Sequence, residues 1–211
     1  MKTRTLTSLA AAALVLLGGC KLALYPFALM FGGPTESALV EVRRNFSELQ
    51  LLYRTADHVL MPAYVITDRM PSWSNGTARD MHDVVNGQLG FTTRCDSIAP
   101  SVPFGELGMN QMRFLWNQAD VYAKWVRTAK PEGDYFWFTE IFRSDSTGVY
   151  AIQCYIITKD GGIAYARLLN SHQFNPASVR STHDAVRALL DAFQAAMRRD
   201  PEEQYPPYGV G

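Results

Sequence analysis

Three neighbouring runs of β-branched and aromatic residues are the feature that most constrains the fold of this chain. They cover residues 135–142, 149–158 and 163–169. Each run alternates with a period of two, which places successive side chains on opposite faces of a sheet. Asp160-Gly161 between the last two runs is typical of a type I′ hairpin turn. The sequence therefore predicts a three-stranded antiparallel meander.

Helical periodicity accompanies this meander on both sides along the chain. The stretches cover residues 37–60, 77–85, 109–126 and 181–199. Pro62 follows the first stretch, and Ser181 with Asp184 forms an approximate capping box at the start of the last. We expect a single α+β domain over residues 35–200, with amphipathic helices flanking the meander, and a flexible tail over residues 201–211.

The charge balance excludes one large class of partner. The 211 residues include 20 basic and 20 acidic side chains. A surface that binds nucleic acid neutralises phosphates with lysine and arginine, so no nucleic-acid partner is expected here.

The N-terminus carries the most specific motif in the chain. Two basic residues within the first four positions precede an apolar stretch over residues 6–17, which ends in Leu17-Gly18-Gly19-Cys20. The apolar stretch has the length of a secretory signal and is too short to span a bilayer. The motif resembles the lipobox of bacterial lipoproteins, in which an aliphatic residue and two small residues precede a lipid-modified cysteine.

This resemblance implies a processing pathway and a location. Residues 1–19 would be a signal peptide, and Cys20 would become the mature N-terminus, with covalently attached acyl chains such as palmitate anchoring it in a membrane. Lys21, rather than an acidic residue, follows the cysteine. In enterobacteria-like sorting this implies the outer membrane, with the domain facing the periplasm.

Residues 20–34 would then be a lipid-anchored tether, and their composition is apolar rather than polar. They either rest in the bilayer interface or fold back onto the domain. The alternative to a lipoprotein is an uncleaved membrane span over residues 8–31, which would place Lys21 near the middle of the bilayer at a cost of about 3 kcal/mol.

The two remaining cysteines, Cys95 and Cys154, are expected to form a disulfide if the chain is exported to an oxidising compartment. The alternative is a pair of buried thiols that pack as small apolar groups. No further cysteine or histidine stands at metal-ligand spacing from either one, so no metal is expected, nor any cofactor besides the lipid on Cys20.

No catalytic residue is assigned from the sequence. The densest group of acid and base side chains is Asp80, His82 and Asp83, which is also a common pattern on solvated helices. Glu140 alternates into an aromatic strand, and we expect it to face solvent.

If Glu140 were buried instead, an unpaired charge there would be costly, and Arg167 or Lys159 would be its partner.

An aromatic face of the predicted sheet is the candidate binding surface. It comprises Phe136, Phe138, Phe142 and Tyr155. If helices cover only one face of the sheet, these rings are exposed and mark a partner or ligand surface. If helices cover both faces, the rings are core.

These observations favour a non-catalytic binding or assembly lipoprotein that holds a protein partner in the bacterial envelope. One alternative is a carrier of a lipid or another apolar molecule, which predicts an internal cavity of several hundred Å³ between sheet and helices. A second alternative is an envelope hydrolase that uses His82 with Asp80 or Asp83.

The lipid anchor is testable by replacing its acceptor thiol. We expect Cys20→Ala to leave the domain folded but to remove the protein from the membrane fraction, because no acyl chain is attached. Membrane fractionation with mass spectrometry of the N-terminus measures this. Unchanged recovery in membranes would contradict lipidation and indicate a spanning anchor.

Overall fold

The computed structural model describes residues 33–67, 72–90, 93–100, 111–144, 148–170 and 181–206, with backbone only for 72–73, 75–78 and 80. The predicted signal peptide, the acceptor Cys20 and most of the tether lie outside the described residues. Within the described part of the chain, none of the helices has the length and apolarity needed to cross a bilayer.

Helices and strands alternate along the described chain. The helices are α1 (Glu36–Leu52), α2 (Asn75–Leu89), α3 (Gln111–Ala129), α4 (Thr182–Ala196) and α5 (Pro201–Gln204). The strands are β1 (His58–Leu60), β2 (Ala63–Ile66), β3 (Ser72–Ser74), β4 (Thr93–Cys95), β5 (Tyr135–Ser144), β6 (Gly148–Thr158) and β7 (Ile163–Asn170).

The strands form one mixed sheet of seven strands, with β5 at its centre. β6 and β7 follow β5 in antiparallel order on one side. On the other side β1 and β2 lie end to end, both parallel to β5, and β4 and β3 extend them. The α+β class is confirmed and the antiparallel β5-β6-β7 pairing is found. The predicted three-stranded sheet is wrong, because strands of three or four residues are too short to show a period.

The first helix is shorter than its apolar pattern predicts. Thr35 caps α1 by accepting a hydrogen bond from the Ala38 N–H at 3.2 Å. The helix ends at Leu52 rather than near residue 60, because His58–Leu60 instead hydrogen-bond in parallel with both β4 and β5. Pro62 separates β1 from β2, since proline has no N–H to donate to a ladder.

The turn between β6 and β7 differs from the predicted type I′ geometry. Lys159 to Gly162 form a four-residue loop, closed by the Thr158 N–H donating to the Gly162 carbonyl at 2.8 Å. Only Gly161 in this loop has a positive φ, of 75°. The hairpin itself is present, but its turn is longer than Asp160-Gly161 alone predicts.

The start of the predicted flexible tail is ordered. Asp200 caps the short helix α5 through the Glu202 N–H at 2.8 Å. Tyr205 is buried, and its hydroxyl accepts a hydrogen bond from the Ala166 N–H at 3.1 Å. This contact ties the chain after α4 to β7, and residues 207–211 lie outside the described part.

Helices cover both faces of the sheet. On one face Tyr122 of α3 stacks on Phe138, with ring centroids 4.3 Å apart. On the other face Phe193 of α4 meets Trp137 edge to face at 4.9 Å. The predicted binding face is therefore core, and its four members are fully buried: Phe136, Phe138, Phe142 and Tyr155.

The predicted disulfide is absent, because both thiols are free. Cys95 ends β4 beside Leu60 of β1, which in turn pairs with Trp137 of β5. Cys154 lies one strand further, in β6. Three inter-strand spacings of about 4.8 Å separate the two cysteines by at least about 14 Å, whereas a disulfide joins Cα atoms within about 7 Å.

The β6–β7 turn requires glycine at position 161. A Cβ added there would meet the side chain of Arg127 and lie 2.7 Å from the Ala123 carbonyl oxygen of α3. We expect Gly161→Ala to lower the free energy of unfolding by about 1–3 kcal/mol, because the positive φ and the backbone clash both oppose it. Urea unfolding measures this.

Gly87→Ala is the matched control for this substitution. Gly87 lies within α2, and an added Cβ meets nothing within 4 Å. Alanine should stabilise the helix by about 0.5–1 kcal/mol. If Gly161→Ala leaves stability unchanged or raises it, as Gly87→Ala should, the packed turn does not require glycine.

Candidate functional site

A carboxylate lies buried at the centre of the molecule. Glu140 of β5 is fully buried, on the sheet face that α3 covers. The Tyr122 hydroxyl of α3 donates to its Oε1 at 2.7 Å, and the Tyr155 hydroxyl of β6 donates to its Oε2 at 3.2 Å. Tyr155 also contacts the side-chain oxygen of Gln153, which pairs with Glu140 across the strands. The expectation of a solvent-facing Glu140 is wrong.

Burial dominates the electrostatics of this cluster. It raises the pKa of Glu140 to about 7, although hydrogen bonds from Tyr122, Tyr155 and Gln118 lower it. The pKa values of Tyr122 and Tyr155 are raised well above normal, first by burial and then by the charge of Glu140. In this cluster Glu140 therefore keeps its proton up to a higher pH than a glutamate in water does.

Neither of the predicted cationic partners reaches Glu140. Arg167 pairs with Cys154 in the ladder while Glu140 pairs with Gln153, so the two side chains project from opposite faces of the sheet. Lys159 instead forms an ion pair with Asp134 at 3.6 Å.

Neutral hydroxyl donors thus replace the expected cation at Glu140. The sequence did carry a signal for the burial of Glu140: the residues that share its face of β5 are large and apolar, which leaves the carboxylate no route to solvent.

A second buried network fixes a histidine in its neutral form. The Trp137 Nε1–H donates to His58 Nδ1 at 3.0 Å, so His58 Nε2 carries the proton and donates to the Tyr53 carbonyl at 2.8 Å. Burial lowers the pKa of His58, and the Tyr53 hydrogen bond opposes that shift. Protonation at Nδ1 would break the Trp137 hydrogen bond, so this site holds the neutral ring. Through its two hydrogen bonds His58 joins the end of α1 to β5 as a structural group.

The predicted hydrolase group also has a structural explanation. His82 Nε2 lies 2.9 Å from the Thr93 carbonyl oxygen, and Nδ1 lies 3.2 Å from Asp83. Asn86 accepts from the Thr93 N–H at 2.9 Å. These contacts join α2 to β4, and the side chain of Asp80 lies outside the described residues.

A polar hollow of 380 Å³ lies between α1 and the β6–β7 turn. Several of its polar side chains have partners within the chain. Asp134 accepts from the Asp57 N–H at 3.0 Å and pairs with Lys159, and Asn45 donates to the Ile163 carbonyl at 3.3 Å.

A groove beside β7 has a different character. Its volume is 370 Å³, its floor is the outer edge of β7, and its walls come from the first turns of α1 and α3 and from the chain after α5. We call it the β7 groove, and its apolar lining comprises Pro34, Leu39, Met112, Leu115, Trp116 and Leu168.

The sequence reasoning missed the β7 groove because it assigned the apolar side of α3 to the core. Met112 lies on that side and yet is 52% exposed at the mouth of the groove. Trp116 is buried behind it and meets Tyr205 at 6.1 Å between ring centroids. A large exposed methionine beside an apolar wall is typical of a binding surface.

Compared with protein-family models, curated proteins and solved structures, the chain matches none of them. Its function is therefore inferred from side-chain geometry and the sequence.

The buried carboxylate gives the protein a defined pH dependence. Between pH 4.5 and about 7 the unfolded chain releases the Glu140 proton while the folded chain retains it. The free energy of unfolding therefore falls as the pH rises through this window. A shift of this size corresponds to a loss on the order of 3 kcal/mol, complete above pH 7.

Glutamine at position 140 never ionises, so the destabilisation above pH 7 should be absent from Glu140→Gln. We expect the free energy of unfolding of this variant, minus that of the native chain, to be higher at pH 8 than at pH 4 by on the order of 3 kcal/mol. Urea unfolding at both pH values measures this difference, and His58 cancels because both proteins contain it. Glu41→Gln, at an exposed position of α1, is the control and should show no such difference. Equal differences for the two variants would refute the proton-holding role of Glu140.

Proposed function

We propose that this chain is a lipid-anchored protein of the bacterial envelope, whose domain acts by binding an apolar group in the β7 groove rather than by catalysis. The β7 groove carries this proposal, since it combines apolar walls with an open mouth. The lipobox-like motif ending in Cys20 supports the location.

The position of the groove along the chain links it to the proposed anchor. Pro34 lines the groove and follows Cys20 by 14 residues. A chain of this length spans at most about 50 Å when fully extended. A lipid on Cys20 would therefore keep the groove within that distance of the membrane surface, where aliphatic groups are abundant.

The ionisable groups support a binding role as well. Glu140 and His58 are fully buried, and both serve contacts between elements of the fold. Cys95 is exposed, but its pKa is raised, chiefly by partial desolvation, which disfavours the reactive thiolate.

A protein partner in the envelope is the second candidate for the bound group. β7 is the outermost strand on its side of the described sheet, and Leu168 on it lines the groove. An extended segment of a partner can add to such an edge and place apolar side chains in the groove. The aromatic face first considered for this partner is buried.

The binding role is testable by thiol labelling at the mouth of the groove in the membrane-anchored chain. We expect the thiol of Met112→Cys, in a Cys95→Ala background, to react with a maleimide several-fold more slowly when dodecanol is added. The reason is that the bound alcohol covers position 112. The labelling rate, followed by mass spectrometry, measures this protection.

Leu51→Cys in the same background is the control. Leu51 is 83% exposed on α1 and does not line the groove, so dodecanol should leave its labelling rate unchanged. Equal slowing at both positions would indicate a bulk effect of the alcohol. That result, or no slowing at either position by any aliphatic probe, would refute binding in the β7 groove.

A further inference from the structure

An arginine in the wall of the β7 groove has no counter-charge among the residues that the structure describes. Arg167 lines the groove, and its Nε atom is buried without a hydrogen-bond partner. Among the described residues, the side chain of Arg167 takes part in no ion pair or hydrogen bond. A buried donor left unpaired in this way is unusual, because its desolvation is uncompensated.

The described groups around Arg167 do not neutralise its charge. Its positive charge acts on the phenols of Tyr165 and Tyr205, lowering pKa values that burial raises. Both phenols therefore remain neutral. The nearby Arg43, by contrast, pairs with Glu36 at 3.1 Å and donates to the Tyr205 carbonyl at 2.7 Å.

The apolar part of the groove lies next to this cation. Met112 at the mouth and Leu115 and Trp116 behind it provide a continuous aliphatic and aromatic wall. The volume of 370 Å³ is at the lower end of the range for small-molecule sites, which bury most of a ligand in an apolar cleft with a few polar groups.

Several polar groups on the edge of β7 already have partners within the chain. The Ala166 N–H donates to the Tyr205 hydroxyl, and the Asn45 side chain donates to the Ile163 carbonyl. Asn170 donates to the side chain of Gln111 across the groove at 3.2 Å. An added peptide strand would have to displace these bonds, whereas an aliphatic chain needs none of them.

We propose that the β7 groove binds a single-chain anionic amphiphile of the fatty-acid class, with its carboxylate on the Arg167 guanidinium and its hydrocarbon chain along Met112, Leu115 and Trp116. The bound carboxylate supplies the missing counter-charge, and charge-assisted hydrogen bonds of this kind are about twice as strong as neutral ones. This inference rests on the proposed binding role of the groove and specifies its ligand.

The experiment uses the membrane-anchored chain with Met112→Cys and Cys95→Ala, and compares three probes, each below its micelle concentration or solubility limit. The probes are dodecanoate, dodecanol and dodecyltrimethylammonium, which share a chain length and differ in head-group charge. We expect dodecanoate to slow maleimide labelling at a concentration about tenfold lower than the other two.

Arg167→Gln should then raise the dodecanoate concentration needed for protection about tenfold and leave that for dodecanol unchanged. Arg198→Gln, an exposed position outside the groove, removes the same charge and should change neither value. Protection by dodecanol in Arg167→Gln also shows that this variant keeps its groove.

Three outcomes would overturn the inference. Equal protection by the three probes would show that Arg167 does not select an anion, and the binding role of the groove would stand. An equal loss of dodecanoate protection in Arg167→Gln and Arg198→Gln would assign the effect to overall charge. Protection by none of the probes would remove the fatty-acid ligand and the proposed binding role together.

Discussion

The fold depends on the burial of β5 between two layers of helices. This strand pairs with β1 and β2 on one side and with β6 on the other, so it has no free edge. α3 covers one of its faces and α4 the other, and every side chain from Tyr135 to Phe142 is buried. A polar residue within this stretch has no route to water and must find its partners inside the protein.

Glu140 and His58 are the clearest consequences of this constraint. Glu140 receives two tyrosine hydroxyls and His58 receives the Trp137 N–H. Their effects on stability have opposite signs with pH. The raised pKa of Glu140 lowers the free energy of unfolding as the pH rises from 4.5 to about 7. The lowered pKa of His58 means that stability from its neutral form is present above pH 6.5 and is lost as the pH falls below it.

The β7 groove arises where the two helical layers end. α3 packs on one face of the sheet, where Tyr122 stacks on Phe138, and α1 packs on the other face, where Phe46 stacks on Tyr165 of β7. Residues from the beginnings of both helices line the groove at the edge of that strand. Tyr205 closes part of the gap by binding the Ala166 N–H, and the rest stays open between Met112 and Leu168. Arg167 lines this opening and is the one charged side chain among its described lining residues.

The sequence by itself determined the elements whose signals are local. The three long strands and the Ser181–Asp184 capping box of α4 follow from side-chain periodicity and short-range hydrogen bonds. The lipobox-like leader is likewise a local motif, and lipidation at Cys20 stays a prediction.

Only the tertiary structure decided what depends on residues distant in the chain. β1 to β4 exist because β5 and one another supply their hydrogen bonds, and no period of two appears in three or four residues. The distance between Cys95 and Cys154 and the burial of Glu140 follow from which strands are neighbours. The physical reason is that sheet pairing and burial are long-range: they are set by partners that local sequence patterns do not identify.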